Sequence, residues 1–80
     1  MLHLKYDLEA DVIWVQLQDA AGRTAGDQVD EYRILHYDET DTPVAVEFLF
    51  VSKGINLDGI PHAAEIREAI GSLGRVLSAA

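Results

Sequence analysis

Apolar and polar residues alternate along the first two-thirds of this chain and switch to a helical spacing in its last quarter. Leu2, Leu4 and Tyr6 alternate with His3 and Lys5, the two-residue period of a strand with one buried face. The run VIWVQLQ at 12–18 is rich in β-branched and aromatic residues and reads as a second strand. Setting Leu4 opposite Ile13 and Leu2 opposite Val15 gathers the apolar residues on one face. It leaves Asp7–Ala10 as the connecting loop. After the glycine-containing turn DAAGRTAGD (19–27), a weak strand is predicted around 24–29. YRILHYD (32–38) and PVAVEFLFV (43–51) form a second hairpin. Pairing Leu35 with Ala45 there sets Arg33 against Glu47, an opposite-charge pair, and puts Tyr32, Ile34, Val46 and Phe48 on one face.

SKGINLDGIPH (52–62) reads as a loop. Pro61 suits the first turn of a helix and Asp58 can serve its free N–H groups. Ile66, Ile70, Leu73 and Leu77 then recur as one apolar stripe. The helix is firm over 62–70 and weakened towards 78 by Gly71 and Gly74. The expected fold is α+β: an antiparallel β-meander of four or five strands (1–51), a loop (52–61) and one C-terminal helix (62–78) packed on one face, all in a single domain over 1–80. Its expected core is Leu2, Leu4, Ile13, Val15, Leu17, Ile34, Val46, Phe48, Ile66, Ile70 and Leu73.

Strand alternation carries the one functional expectation. If Ile13, Val15 and Leu17 face the helix, Val12 and Trp14 face away, and the second hairpin adds Leu35, Tyr37, Leu49 and Val51 to that second face. One helix cannot cover both faces of a sheet. These six residues are therefore the expected interface of a homo-oligomer, a dimer by default, the alternative being that the C-terminal tail or the 52–60 loop covers them.

Composition narrows the classes. At 80 residues the chain is small enough for a partner subunit to add substantially to its stability. A net charge of −8 with scattered Lys and Arg disfavours nucleic acid and anionic lipid and suits a basic protein partner. Without cysteine there is no disulfide, thiolate or Cys-based zinc chemistry. Neither a signal peptide nor a membrane-spanning run is visible, so the expectation is a cytoplasmic protein that engages no membrane.

The candidate chemistry is thin. Asp7, Glu9 and Asp11 resemble the start of a calcium loop, but Val12 and Gln18 stand where that loop needs glycine and glutamate. DETD at 38–41 likewise reads as a turn. His3, His36 and His62 have no metal-ligand spacing, and the glycines and serines form no phosphate loop or nucleophile motif. The expectation is no catalytic residue, no cofactor and no metal.

Taken together, Tyr6, Asp7, Glu9, Ala10 and Asp11, then Ile34, Leu35, Tyr37 and Asp38, then Glu47 resemble a bacterial family of short proteins catalogued as a domain of unknown function. That pattern reads Y-D-x-E-A-D, then I-L-D-Y-D, then a strand with a glutamate, and the likeness covers most of 4–51. The chain departs from it at Leu8, where proline is common, at His36, where aspartate is common, and near Asp41, where glycine is common. The resemblance implies a small meander with a C-terminal helix and no established activity. Through the toxin-like neighbours of some members it also implies an antitoxin-like role. A self-associating, non-enzymatic interaction module is thus the leading reading. A small-molecule binder with an inter-subunit pocket, and an enzyme using Asp7, Asp11, Asp38 or Glu47, stand behind it.

Overall fold

The structure is a computed structural model that describes residues 2–72. Five strands, β1 (His3–Asp7), β2 (Val12–Gln16), β3 (Ala25–Asp30), β4 (Arg33–Tyr37) and β5 (Pro43–Leu49), precede a short 3-10 turn (Val51–Lys53) and a helix, α1 (Ala63–Gly71). All pairings are antiparallel, in the order β1-β2-β5-β4-β3. The fold is α+β as expected: β1–β2 is a hairpin, β3–β4–β5 is a meander, and β2 joins them by pairing with β5. The two most apolar strands thereby take central positions. The proline that opens β5 sits at a strand's first residue, where its missing N–H is tolerated.

One face of the sheet is closed. Ile13, Val15, Leu17, Leu35, Val46 and Phe48 pack there with Val51, Ile60 and Ile66. Leu2, Leu4, Tyr6, Tyr37, Ile55, Leu57 and Ile70 pack around that core half-buried. Ile66 is the only residue of α1 that is fully enclosed. The helix begins at His62 in a left-handed conformation without a side-chain cap, so Asp58 does not cap it and Pro61 lies just before it. Leu73 and the helical continuation to 78 lie outside the described residues.

Two registers differ from expectation. In the first hairpin Leu4 pairs with Val15 and Tyr6 with Ile13. This shift of two preserves every face and moves the turn to 8–11. In the second hairpin Leu35 pairs with Val46 and Ile34 with Glu47, so Arg33 opposes Phe48 and not Glu47. A shift of one exchanges the faces: Leu35 enters the core, and Ile34, expected there, turns outward. An exposed Arg–Glu pair contributes only about 0.2–1 kcal/mol, too little to hold the other register. The buried Arg33 guanidinium instead holds the Asp30 carboxylate, with Nε at 3.0 Å and Nη2 at 2.8 Å from Oδ2. Its Nη1 donates to the carbonyls of Asn56 and Asp58. The side chain thus fastens the loop before α1 to the sheet. That guanidinium, followed by the Tyr32 N–H, holds the Asp30 carboxyl below its ordinary range.

Candidate functional site

The other face of the sheet has no described element over it. Cross-strand pairing aligns Lys5, Trp14, Glu47, Ile34 and Gln28 in one row, with Gln16, Ala45, His36 and Gly26 in the next. Val12 and Leu49 form a paired step on the other side of Trp14. Trp14 is at the centre of this surface. Its ring lies 4.6 Å from that of His36, tilted by 45°. Its Nε1 donates to Gln16 Oε1 at 2.9 Å, and Gln16 Nε2 donates in turn to the carbonyls of Gln18 and Val44. His36 Nε2 lies 3.4 Å from Glu47 Oε1. Gly26 makes room for the imidazole, since a Cβ there would come within 3.0 Å of its Cε1. The indole is thus fixed on two sides. Beside it, Lys5, Asp7, Val12, Trp14 and Glu47 line a shallow groove of about 350 Å³.

Of the six residues expected on this face, Val12, Trp14 and Leu49 lie there. The other three do not. Leu35 and Val51 are buried in the helix-side core and Tyr37 packs against it. Leu35 changed faces with the register. Tyr37, two residues on in the same strand, moved with it. Val51 follows the left-handed Phe50 into the 3-10 turn, where strand alternation no longer applies. Ile34 takes a half-buried place on the open face, and Ala45, aligned on the same side, is fully buried.

The acidic residues are occupied as structural acceptors. Asp7 Oδ1 accepts the Ala10 N–H at 3.1 Å within its own turn. Asp11, with φ at 60°, accepts the Ser52 N–H at 2.9 Å and the Ser52 hydroxyl at 2.6 Å, tying the first turn to the chain after β5. Asp38 is buried and fully engaged. Its Oδ1 accepts from the Thr40 hydroxyl at 2.6 Å, the Thr40 N–H at 2.8 Å and the Thr42 N–H, and its Oδ2 accepts the Ala21 N–H at 3.0 Å. These bonds, the Thr40 hydroxyl foremost, hold its carboxyl down at about 2. Such a group is a permanent anion at neutral pH and unsuited to general acid or base work. Glu39 accepts the Arg23 N–H at 3.1 Å, and its own N–H donates to the Ala21 carbonyl. DETD therefore makes a turn and also staples down the crossover from β2 to β3.

An open groove of about 780 Å³ borders this staple, lined by residues that include Arg23, Asp27, Tyr37, Asp38 and Asp41. Its most constrained carboxylate, Asp38, is already saturated by protein donors. Among the described residues no group of three or more His, Asp or Glu is placed to hold a metal ion, and no helix is long and apolar enough to cross a membrane. No family model, curated protein or solved structure matches this chain.

Proposed function

We propose that this domain is a non-enzymatic protein-interaction module that self-associates, with Trp14 at or beside the contact between copies. The observation that carries this reading is the asymmetry of the sheet. One face is closed by α1 and the 51–60 segment, whereas the half-buried Val12, Trp14, Ile34 and Leu49 form a central apolar strip on the other, with no described element above them. The Gln16 and His36 contacts hold the indole in a fixed orientation without enclosing it, as a recognition surface needs. Asp7, Asp11 and Asp38, by contrast, serve turns and staples, which argues against acid–base catalysis at those three. The net charge of −8 favours a basic protein as the heterologous partner, in line with the antitoxin-like role implied by the motif resemblance.

Sedimentation at micromolar concentration tests the reading. A dimer that dissociates on dilution is expected. A homogeneous monomer of 8.8 kDa across the micromolar range overturns it.

A further inference from the structure

Both edges of the sheet are uncovered among the described residues, and they differ in a way that singles out one of them. Leu17 N–H donates to the Val44 carbonyl. By the alternation of antiparallel ladders, Val15 and Ile13 therefore bond to β5, and Val12, Trp14 and Gln16 turn their backbone groups towards β1. Their β1 partners Asp7, Lys5 and His3 bond inward. The N–H and C=O of Leu4 and Tyr6 consequently point away from the sheet. The same reasoning from Leu49 N–H on the Tyr32 carbonyl leaves Gly26 and Gln28 of β3 pointing outward at the other edge.

We propose that two copies join through β1, edge to edge and antiparallel about a two-fold axis, into one continuous ten-stranded sheet; this rests on the self-association proposed above and names its seam. Full overlap of β1 with its twin places Lys5 on the axis and Leu4 opposite the partner's Tyr6. That register turns the outward groups of Leu4 and Tyr6 into two bonded pairs with four backbone hydrogen bonds. It sets His3 against the partner's Asp7, twice, on the open face. On the closed face it lays the half-buried Leu4 and Tyr6 against their counterparts, extending the core through the seam. The same register brings Leu2 towards the partner's Leu8, which is 74 % exposed in the single chain.

The β3 edge lacks all of this. Its six residues are exposed, it is broken by a bulge between Gln28 and Asp30, and pairing it with itself crowds four carboxylates into one ribbon. The β1 seam also completes the candidate site. Lys5 is the cross-strand neighbour of Trp14, so the row becomes Trp14, Lys5, the partner's Lys5, the partner's Trp14. The groove beside each indole is then continuous with its twin.

Amide exchange and sedimentation together test this on the intact chain. As nine chains in ten become dimeric, exchange at the Leu4 and Tyr6 amides slows about tenfold, while Gly26 and Gln28 do not change. Lys5→Thr removes the one like-charge pair on the axis and tightens the dimer by up to about fivefold. Leu4→Pro, which loses no bond within the chain, abolishes dimerisation, and Gln28→Lys on the exposed opposite edge strand β3 leaves it intact. A monomeric wild type overturns both this seam and the reading it rests on. A dimer that survives Leu4→Pro, shows no protection at Leu4 and Tyr6, or is not tightened by Lys5→Thr overturns the seam alone.

Discussion

Ile66→Ala is the substitution that best tests how the helix is held. Ile66 is fully enclosed and is the only residue of α1 of which this is true; Ile70, one turn on, is half-buried. The change deletes three carbons, at about 0.8 kcal/mol each on burial, for a transfer loss of about 2.4 kcal/mol. The cavity left against the sheet adds to this, giving about 3 kcal/mol within the usual range of about 2–5 for such a truncation. A domain of this length has a total stability of about 4–12 kcal/mol, so the loss is a large share. At about 4–8 °C per kcal/mol, the midpoint falls by about 12–24 °C. Urea denaturation followed by both Trp14 fluorescence and far-ultraviolet dichroism measures it. Both probes should shift together with an unchanged slope, because the helix closes the core that the sheet shares. Ile70→Ala should cost about half as much. If Ile66→Ala costs under about 1 kcal/mol, or no more than Ile70→Ala, the helix is not anchored through this side chain.

The remaining predictions concern the polar groups. Asp38 is held as an anion at about 2, below its ordinary 3.8, so the stability it adds is complete above pH 4 and lost as pH falls towards 2. Thermal midpoints of the wild type should fall across that interval, while Asp38→Asn, which turns an amide N–H₂ against one of the N–H donors, should be less stable at neutral pH and flatter below pH 4. Trp14 is the only tryptophan, and its contact with His36 makes its emission a reporter. Removing the imidazole in His36→Ala should open one side of the indole and raise its quenching by acrylamide; unchanged quenching would show that the stack does not form. Calorimetric titration with calcium, magnesium or zinc should give no saturable micromolar site, and one abolished by Asp7→Asn would reverse the reading of the first turn.

What could be read from the chain was set by how local each constraint is. The faces of β1 and β2 were legible because Leu2, Leu4 and Tyr6 are interchangeable against Ile13 and Val15, and for the same reason their register was not: a shift of two costs nothing in pattern. In β4, Tyr32 and Ile34 compete with Leu35 and Tyr37 for the core with almost equal apolar weight. The deciding group was Arg33, whose bonds to the carbonyls of Asn56 and Asp58 span the chain and leave no periodic trace. The same holds for the pairing of β2 with β5 and for the Asp38–Ala21 bond. Of the candidate site, Val12, Trp14 and Leu49 were legible by alternation. The stacking of His36 on Trp14 was not legible, because it needs the β2–β5 seam to bring β4 near.

That seam also orders events in time. The β1–β2 hairpin and the β3–β4–β5 meander each close over short spans of chain, whereas Val12 meets Leu49 only by closing nearly half of the sequence into a loop. The two pieces can form independently, and their docking is the slow, entropically costly event in folding. The Ala21 N–H on Asp38 and the Ser52 hydroxyl on Asp11 each bridge one piece to the other or to the segment following it. Substitutions at Asp38 and Asp11 should therefore divide between folding and unfolding rates according to whether the pieces have docked at the barrier. The acidic turns, which hold no metal and do no chemistry in this reading, are latches that close once the halves of the sheet have met.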